Sequence, residues 1–286
     1  MGVFKAAAVQ MRSGTSPERN AIDMERLVRD AAHLGATYVQ TPEMTGALIR
    51  DKDARAASFT SEDKDVVVAT ARSLAKELGI FLHVGSTAIL RGDGKLANRA
   101  LLFSPEGAAI ASYDKIHMFD VDLDNGESWR ESAAYEPGTQ AVVTEIDGAK
   151  LGFAVCYDLR FPQLFRAEAL AGADVLSVPA AFTRQTGEAH WHVLLRARAI
   201  ENGAYVIAAA QGGLHEDGRE TYGHSLIVDP WGRIVAEAAH DEPGVIVAEI
   251  DPAQSLAARR KIPNLKNARD FTVNAGEAPR LRGAAS

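Results

Sequence analysis

Residues 150–162 read KLGFAVCYDLRFP, an apolar run that passes through a cysteine to a proline. Positions 151–155 are four apolar residues and a glycine, which suits a strand buried on both faces. Pro162 fits the first turn of a helix, because its φ is preset and the N–H it lacks would be unpaired there. The helix it opens reads PQLFRAEALAGA, with Leu164, Phe165, Glu168 and Ala169 setting the period and Gly172 the stop. A cysteine between such a strand and such a helix sits on a sharp turn. Its thiol is lifted clear, and loop N–H groups face whatever it attacks. A nearby helix start is expected to lower its pKa. Cys156 is the only cysteine among 286 residues. A lone cysteine is ordinarily a small buried apolar side chain, so its partners must decide its role.

Outward from this unit, strands and helices alternate at both ends of the chain. A strand over 4–11 leads to a helix capped by Ser16 and opened by Pro17, with Ile22, Leu27, Ala31 and Leu34 as its apolar face and Gly35 as its stop. A second strand over 36–41 runs straight into Pro42-Glu43-Met44. A helix over 61–78 follows, with Val67, Ala71, Leu74 and Leu78 on one side and Gly79 at its end. Positions 80–90, 97–103 and 108–113 form a meander, turned at 92–94 and 105–107. Residues 116–140 read as an irregular loop, long enough to be functional or mobile. Beyond the cysteine come a strand over 175–178 and a loop bearing Pro179, Phe182, Thr183 and Thr186. A helix over 188–201, a strand over 205–210, a hairpin over 224–238 and a strand over 245–250 complete the pattern. This favours one α/β domain over 1–267, two sheets with helices outside, and a tail over 268–286 that wanders or docks on a partner subunit.

Composition narrows the class. At 30.6 kDa the chain can bury a sizeable core. Its net charge of −7 argues against a nucleic-acid partner, which needs a basic face. No apolar run approaches the ~18 residues of a membrane span. The N-terminus lacks the form of a signal peptide, and one cysteine fits a reducing compartment, so a cytoplasmic, soluble protein is expected.

Two more residues stand where a catalytic group belongs, at the end of an apolar strand. Glu43 follows YVQTP and Lys115 follows AAIASYD. Either alone is ordinarily a solvated charge. With Cys156 they place a carboxylate, an ammonium and a thiol on three separate strand ends. A carboxylate can take the thiol proton, and a cation can stabilise the oxyanion of acyl transfer. None of the eight histidines has a comparable claim: His190 and His192 fall on different faces of their helix, and His117 and His224 lie near strand ends. No zinc-ligand spacing is present. Gly92-x-Gly94 opens no helix, and Gly223-His224-Ser225 lacks the second glycine of a serine-hydrolase elbow.

TPEM at 41–44, YDKIHMFDVD at 113–122 and GFAVCYDLRFP at 152–162 resemble the nitrilase-like carbon–nitrogen hydrolases. The likeness runs from the AAAVQM strand to the IP at 262–263. Within that family, AHWHVLLRARAIENGAYVIAAAQ and YGHSLIVDPWG look most like amidases acting on ω-amides of 2-oxo acids and on deaminated glutathione. The resemblance implies a four-layer α-β-β-α sandwich that pairs into homodimers through its helices, with the C-terminal tail crossing over. It implies Glu43 as general base, Lys115 as oxyanion stabiliser and Cys156 as nucleophile. A second glutamate is expected nearby. Glu131 is chosen because ESAAYEPG matches the family's spacing to the following glycine, with Glu127 as rival. The implied mechanism takes an oxyanion N–H from Tyr157, Arg160 is expected to bind a substrate carboxylate, and the resemblance adds Phe182 and Thr186 as pocket walls. The alternative for Arg160 is an ion pair with Asp158 or a nearby helix. The implied reaction runs through a thioester on a small-molecule amide and needs no metal or organic cofactor. An acyl-transferring relative and a catalytically silent binding protein are the rival classes.

Overall fold

The computed structural model describes residues 2–123, 126 and 128–274. Labels follow the chain. The first sheet contains β1 (Phe4–Gln10), β2 (Tyr38–Gln40), β3 (Phe81–Leu90), β4 (Leu96–Phe103), β5 (Ala109–Asp114) and, from the far end of the chain, β16 (Gly244–Ile250). Its order is β16-β1-β2-β3-β4-β5. The second contains β8 (Val143–Ile146), β9 (Ala149–Phe153), β10 (Val175–Ser177), β11 (Tyr205–Ala208), β14 (Leu226–Val228) and β15 (Ile234–Glu237), in the order β15-β14-β11-β10-β9-β8. Two small ribbons lie outside them, β6 (Asp120–Asp122) with β7 (Ser128–Arg130), and β12 (Gly212–Leu214) with β13 (Glu220–Tyr222).

Each sheet has a parallel centre. β1, β2 and β3 run parallel, as do β9, β10 and β11, and antiparallel strands flank both sets. Parallel neighbours need crossovers, and these are helical. α1 (Pro17–His33) joins β1 to β2. Both α2 (Lys52–Ser58) and α3 (Val66–Leu78) lie between β2 and β3. α4 (Pro162–Leu170) joins β9 to β10, α5 (Arg184–Asn202) joins β10 to β11, and α6 (Pro252–Lys261) follows β16.

The layers follow from the period-2 alternation of the central strands. Ala7, Val9, Val39 and Leu82 pack with Met24, Leu27 and Val28 of α1 and with Val67, Ala71 and Leu74 of α3. The alternate residues Ala6, Ala8 and Tyr38 join Leu151, Phe153, Leu176 and Ile207 of the second sheet, and that cluster extends to Phe165 of α4 and Trp191 of α5. The result is the α-β-β-α sandwich. Polar ties cross it too: the Ala209 N–H donates to Gln40 Oε1 at 3.0 Å, and the Ser225 N–H to Gln10 Oε1 at 2.8 Å. No helix among the described residues is long and apolar enough to cross a membrane.

Several local expectations need correction. The buried face of α1 is Ala21, Met24, Leu27, Val28 and Ala31, whereas Ile22 and Leu34 are 68% and 49% exposed. α3 begins at Val66, because Asp65 caps it through the Val68 N–H at 2.9 Å; Ser61 instead precedes a short 3₁₀ turn. α5 begins at Arg184, so Thr186 lies in its first turn and not in a loop. The 116–140 stretch carries the β6–β7 ribbon. Glu127, and the tail beyond Asn274, lie outside the described residues.

Candidate active site

Strand ends of both sheets converge on one point. Glu43 follows β2 through Thr41 and Pro42, Lys115 directly follows β5, and Cys156 follows β9 through Ala154 and Val155. Gly85 of β3 makes the approach possible. A Cβ there would lie 2.1 Å from the Thr41 carbonyl, 2.7 Å from that of Pro42 and 2.4 Å from Pro179 Cβ. Only a residue without a side chain lets the loops after β2 and β10 come this close. Met44 adopts a left-handed φ of 53°, a strained conformation for a side-chain-bearing residue, and neighbours hold it there. Its N–H donates to Ser86 Oγ at 2.9 Å, and Gln211 Nε2 donates to the Glu43 carbonyl at 3.0 Å.

Lys115 is 2% exposed and lies between two carboxylates. Its Nζ donates to Glu43 Oε1 at 2.9 Å and to Glu131 at 2.8 and 3.1 Å. Asn98 Nδ2 bridges the same two acids, at 2.9 Å to Glu43 and 3.0 Å to Glu131. Backbone donors complete the set: the Ala181 N–H reaches Glu43 Oε2 at 2.9 Å and the Phe119 N–H reaches Glu131 Oε2 at 2.7 Å. Burial disfavours the Lys115 ammonium, but Glu131 and Glu43 outweigh it and hold its pKa well above the ordinary value. Burial likewise opposes the Glu43 anion. The Lys115 charge, the neighbouring thiol and the hydrogen bonds from Lys115 and Asn98 outweigh that, so its pKa is lowered.

Cys156 stands on a left-handed turn, φ 50°, with its N–H donating to the Pro179 carbonyl at 2.9 Å. Its thiol lines the same cavity as Glu43 and Lys115. The expected lowering of its pKa is overturned. Burial and the Glu43 anion push the thiol well up, and Lys115 and the Ala181 N–H offset only part of this. The helix start is too far away to help, because a 3₁₀ segment, Cys156–Arg160, intervenes before α4.

Asp158 braces this turn from behind. It accepts from the Val155 N–H at 2.9 Å, the Tyr113 hydroxyl at 2.7 Å and the His117 N–H at 3.1 Å, and its Oδ1 lies 2.6 Å from His117 Nδ1. The ion pair between Arg160 and Asp158 therefore does not form. Arg160 instead donates to His190 Nδ1 at 3.3 Å, with its guanidinium 5.3 Å from the Phe182 ring and 5.9 Å from that of Tyr157. Thr186 Oγ1 lies 2.9 Å from Thr183 Oγ1.

All eight residues singled out from the sequence line one cavity of about 310 Å³. No histidine among the described residues lines it. Sequence reasoning missed Asn98, whose signal was a polar residue within the apolar strand LANRALLF. It also missed the wall formed by Met44, Leu48, Ile49, Arg50, Arg55 and Trp129. Chemically, the arrangement offers a thiol, a hydrogen-bonded carboxylate to take its proton, and a fixed ammonium beside both.

Similar proteins include named amidases. The carbon–nitrogen hydrolase family profile matches residues 5–260. A deaminated glutathione amidase from Synechocystis sp. is 39% identical over 278 residues, covering 93% of this chain and 98% of that protein. The NitFhit protein of C. elegans superposes with a TM-score of 0.87 at 33% identity over 94% of this chain, which spans 66% of that longer protein. A glutamate-to-glutamine mutant of an amidase from Nesterenkonia sp. AN1, solved with the acetamide moiety of fluoroacetamide on its active-site cysteine, gives a TM-score of 0.77 at 28% identity, covering 90% of this chain and 94% of that one. The chain thus belongs to the carbon–nitrogen hydrolase family and is an enzyme that hydrolyses the carbon–nitrogen bond of amides.

Proposed function

We propose that the enzyme hydrolyses a linear amide whose acyl half carries a free carboxylate, deaminated glutathione foremost, through a thioester on Cys156. Glu43 accepts the thiol proton as sulfur adds to the amide carbonyl. The oxyanion rests on Lys115 and on the Tyr157 N–H. Glu43 returns the proton to the departing amine, and the C–N bond breaks to leave an acyl-enzyme. Water then adds with Glu43 again as base, releasing the acid and restoring the thiol. Glu131 and Asn98 hold Lys115 in place throughout.

The observation that carries the acyl assignment is Arg160. Its guanidinium borders the cavity over Tyr157 and Phe182, and no carboxylate among the described residues pairs with it. A planar guanidinium can clamp a carboxylate in two hydrogen bonds and so hold the carbonyl in line with the thiol. The name of the Synechocystis relative supports deaminated glutathione over 2-oxoglutaramate, which shares the same acyl end. The test compares kcat/KM for both substrates in the wild type and in Arg160→Ala. Both should fall by about 2–4 kcal/mol of transition-state binding. Undiminished hydrolysis by the variant, or a wild-type preference for uncharged aliphatic amides or nitriles, would sink the assignment.

We also read the chain as one domain and a cytoplasmic homodimer. The exposed Leu170 of α4 and Val193 and Ile200 of α5 support pairing through the outer helices.

A further inference from the structure

The cavity holds more positive charge than its reacting centre uses. Among its lining residues Lys115 is matched by Glu43 and Glu131, Arg130 pairs with Asp122, and Arg219 pairs with Asp217. Arg50 and Arg55, like Arg160, have no carboxylate partner among the described residues. Arg50 and Arg55 also share a position. Both belong to the segment that runs on from Glu43, whose Met44, Leu48 and Ile49 are buried against the cavity. At its end Arg50 lies on the Trp129 ring, 4.5 Å from the centroid, and α2 presents Arg55 to the same space.

Direction decides what this wall meets. If Glu43 returns the proton to the amine, the amine half departs beside Glu43 and along the chain continuous with it. We infer that residues 44–55 form the leaving-group subsite, with Arg50 and Arg55 binding a carboxylate on the amine half of the substrate. This rests on the reading of Glu43 as the proton donor to the leaving group. The substrate class it defines is an amide anionic at both ends, with the side chain next to the scissile nitrogen lying against Met44, Leu48 and Ile49. Ammonia as the leaving group would leave that wall unused. The acyl carboxylate goes to Arg160 and the amine carboxylate to Arg50 and Arg55, so the scissile carbonyl is held from two directions over the thiol.

The experiment uses the full-length enzyme and a matched pair of substrates, deaminated glutathione and its C-terminal carboxamide. The wild type should prefer the acid by about 10- to 100-fold in kcat/KM, mainly through KM, the range for a charge-assisted contact. In the Arg50→Ala/Arg55→Ala double variant that preference should shrink towards unity, and Arg50→Lys/Arg55→Lys should restore part of it. The inference is overturned if the wild type does not distinguish acid from carboxamide, or if the double variant keeps the full preference. Circular dichroism on each variant separates a lost contact from a lost fold. If the wild type cleaves neither deaminated glutathione nor 2-oxoglutaramate, the acyl assignment fails on its own. The acid–carboxamide comparison is then made on amides of whichever acyl group is cleaved, and the same two outcomes decide the leaving-group subsite.

Discussion

Tyr113, at the end of the first sheet's edge strand, donates a 2.7 Å hydrogen bond to Asp158 in the turn that carries Cys156. Both side chains are buried, and the bond joins the two sheets directly behind the nucleophile. Burial and the Asp158 carboxylate push the Tyr113 phenol far up, so it remains a donor at every working pH. Tyr113→Phe should cost about 1–3 kcal/mol in denaturant unfolding and lower kcat, because Asp158 then holds the turn with one donor fewer. An unchanged midpoint together with unchanged turnover would show that the bond is dispensable.

The pKa order at the site has a kinetic signature. The resting thiol is neutral, because burial and Glu43 raise its pKa. Since Cys156 is the only cysteine, the pH dependence of thiol alkylation by iodoacetamide in the whole protein reports on it alone. Its titration should lie above the ordinary thiol range. Glu43→Gln removes an adjacent anion and should bring that titration down while abolishing turnover. Cys156→Ser should also be inactive, since a carboxylate base cannot readily deprotonate a hydroxyl. With a slow substrate the wild type should show an acyl adduct on Cys156 by mass spectrometry. A turnover-competent serine variant would contradict the nucleophile assignment.

Glu131 holds Lys115 with two contacts and also accepts from Asn98 and the Phe119 N–H. Glu131→Gln should lower kcat by about tenfold or more, at least ~1.4 kcal/mol of barrier, with a smaller change in KM. Glu127→Gln should remain near wild type. The opposite ranking of the two variants would assign the role to Glu127.

Glu168 supplies a pH dependence of stability. It is buried in α4 beside β9, where a Cβ on Gly152 would lie 2.6 Å from its Oε2. Burial, with the Asp158 anion adding to it, raises its pKa well above 4.5, so the folded protein holds it as a neutral acid. A raised folded-state pKa contributes stability that is complete below the ordinary carboxylate value and is lost as pH rises through the folded value. Thermal stability should therefore decline as pH rises above the ordinary carboxylate range, and Glu168→Gln should flatten that decline. A variant with the wild-type slope would assign the effect to another group.

How far the chain could be read from its sequence depended on how much each element buries. The central strands were legible as apolar runs, and Glu43, Lys115 and Cys156 as polar groups at three strand ends; singly each reads as an ordinary residue, and the resemblance to the carbon–nitrogen hydrolases is what joined them. Helix stops such as Gly79, which takes a left-handed φ of 64°, were legible as local signals. α2 was invisible because none of its residues is buried, so it carries no apolar period. α6 hides its face in Pro252, Ser255 and Ala258, which hydropathy does not mark. In α1 the small Ala21 and Ala31 with Met24 and Val28 took the core side, leaving the larger Ile22 in solvent. Asn98 and the arginine-bearing wall were missed because their roles come from pairing across chain separations that spacing does not reveal.

Glu43 and Lys115 hang from one sheet and Cys156 from the other, so the gap between base and nucleophile is set by the thickness of the sandwich. Packed sheets stand about 10 Å apart, and the side chains between them act as the spacer. Here that spacer includes Ala6, Ala8 and Ala100, small residues fully buried in the shared core. The calibre of those methyl groups is thus a catalytic dimension. An enlargement made deep in the middle of the molecule would act as a shim, prising the proton acceptor away from the sulfur without touching either.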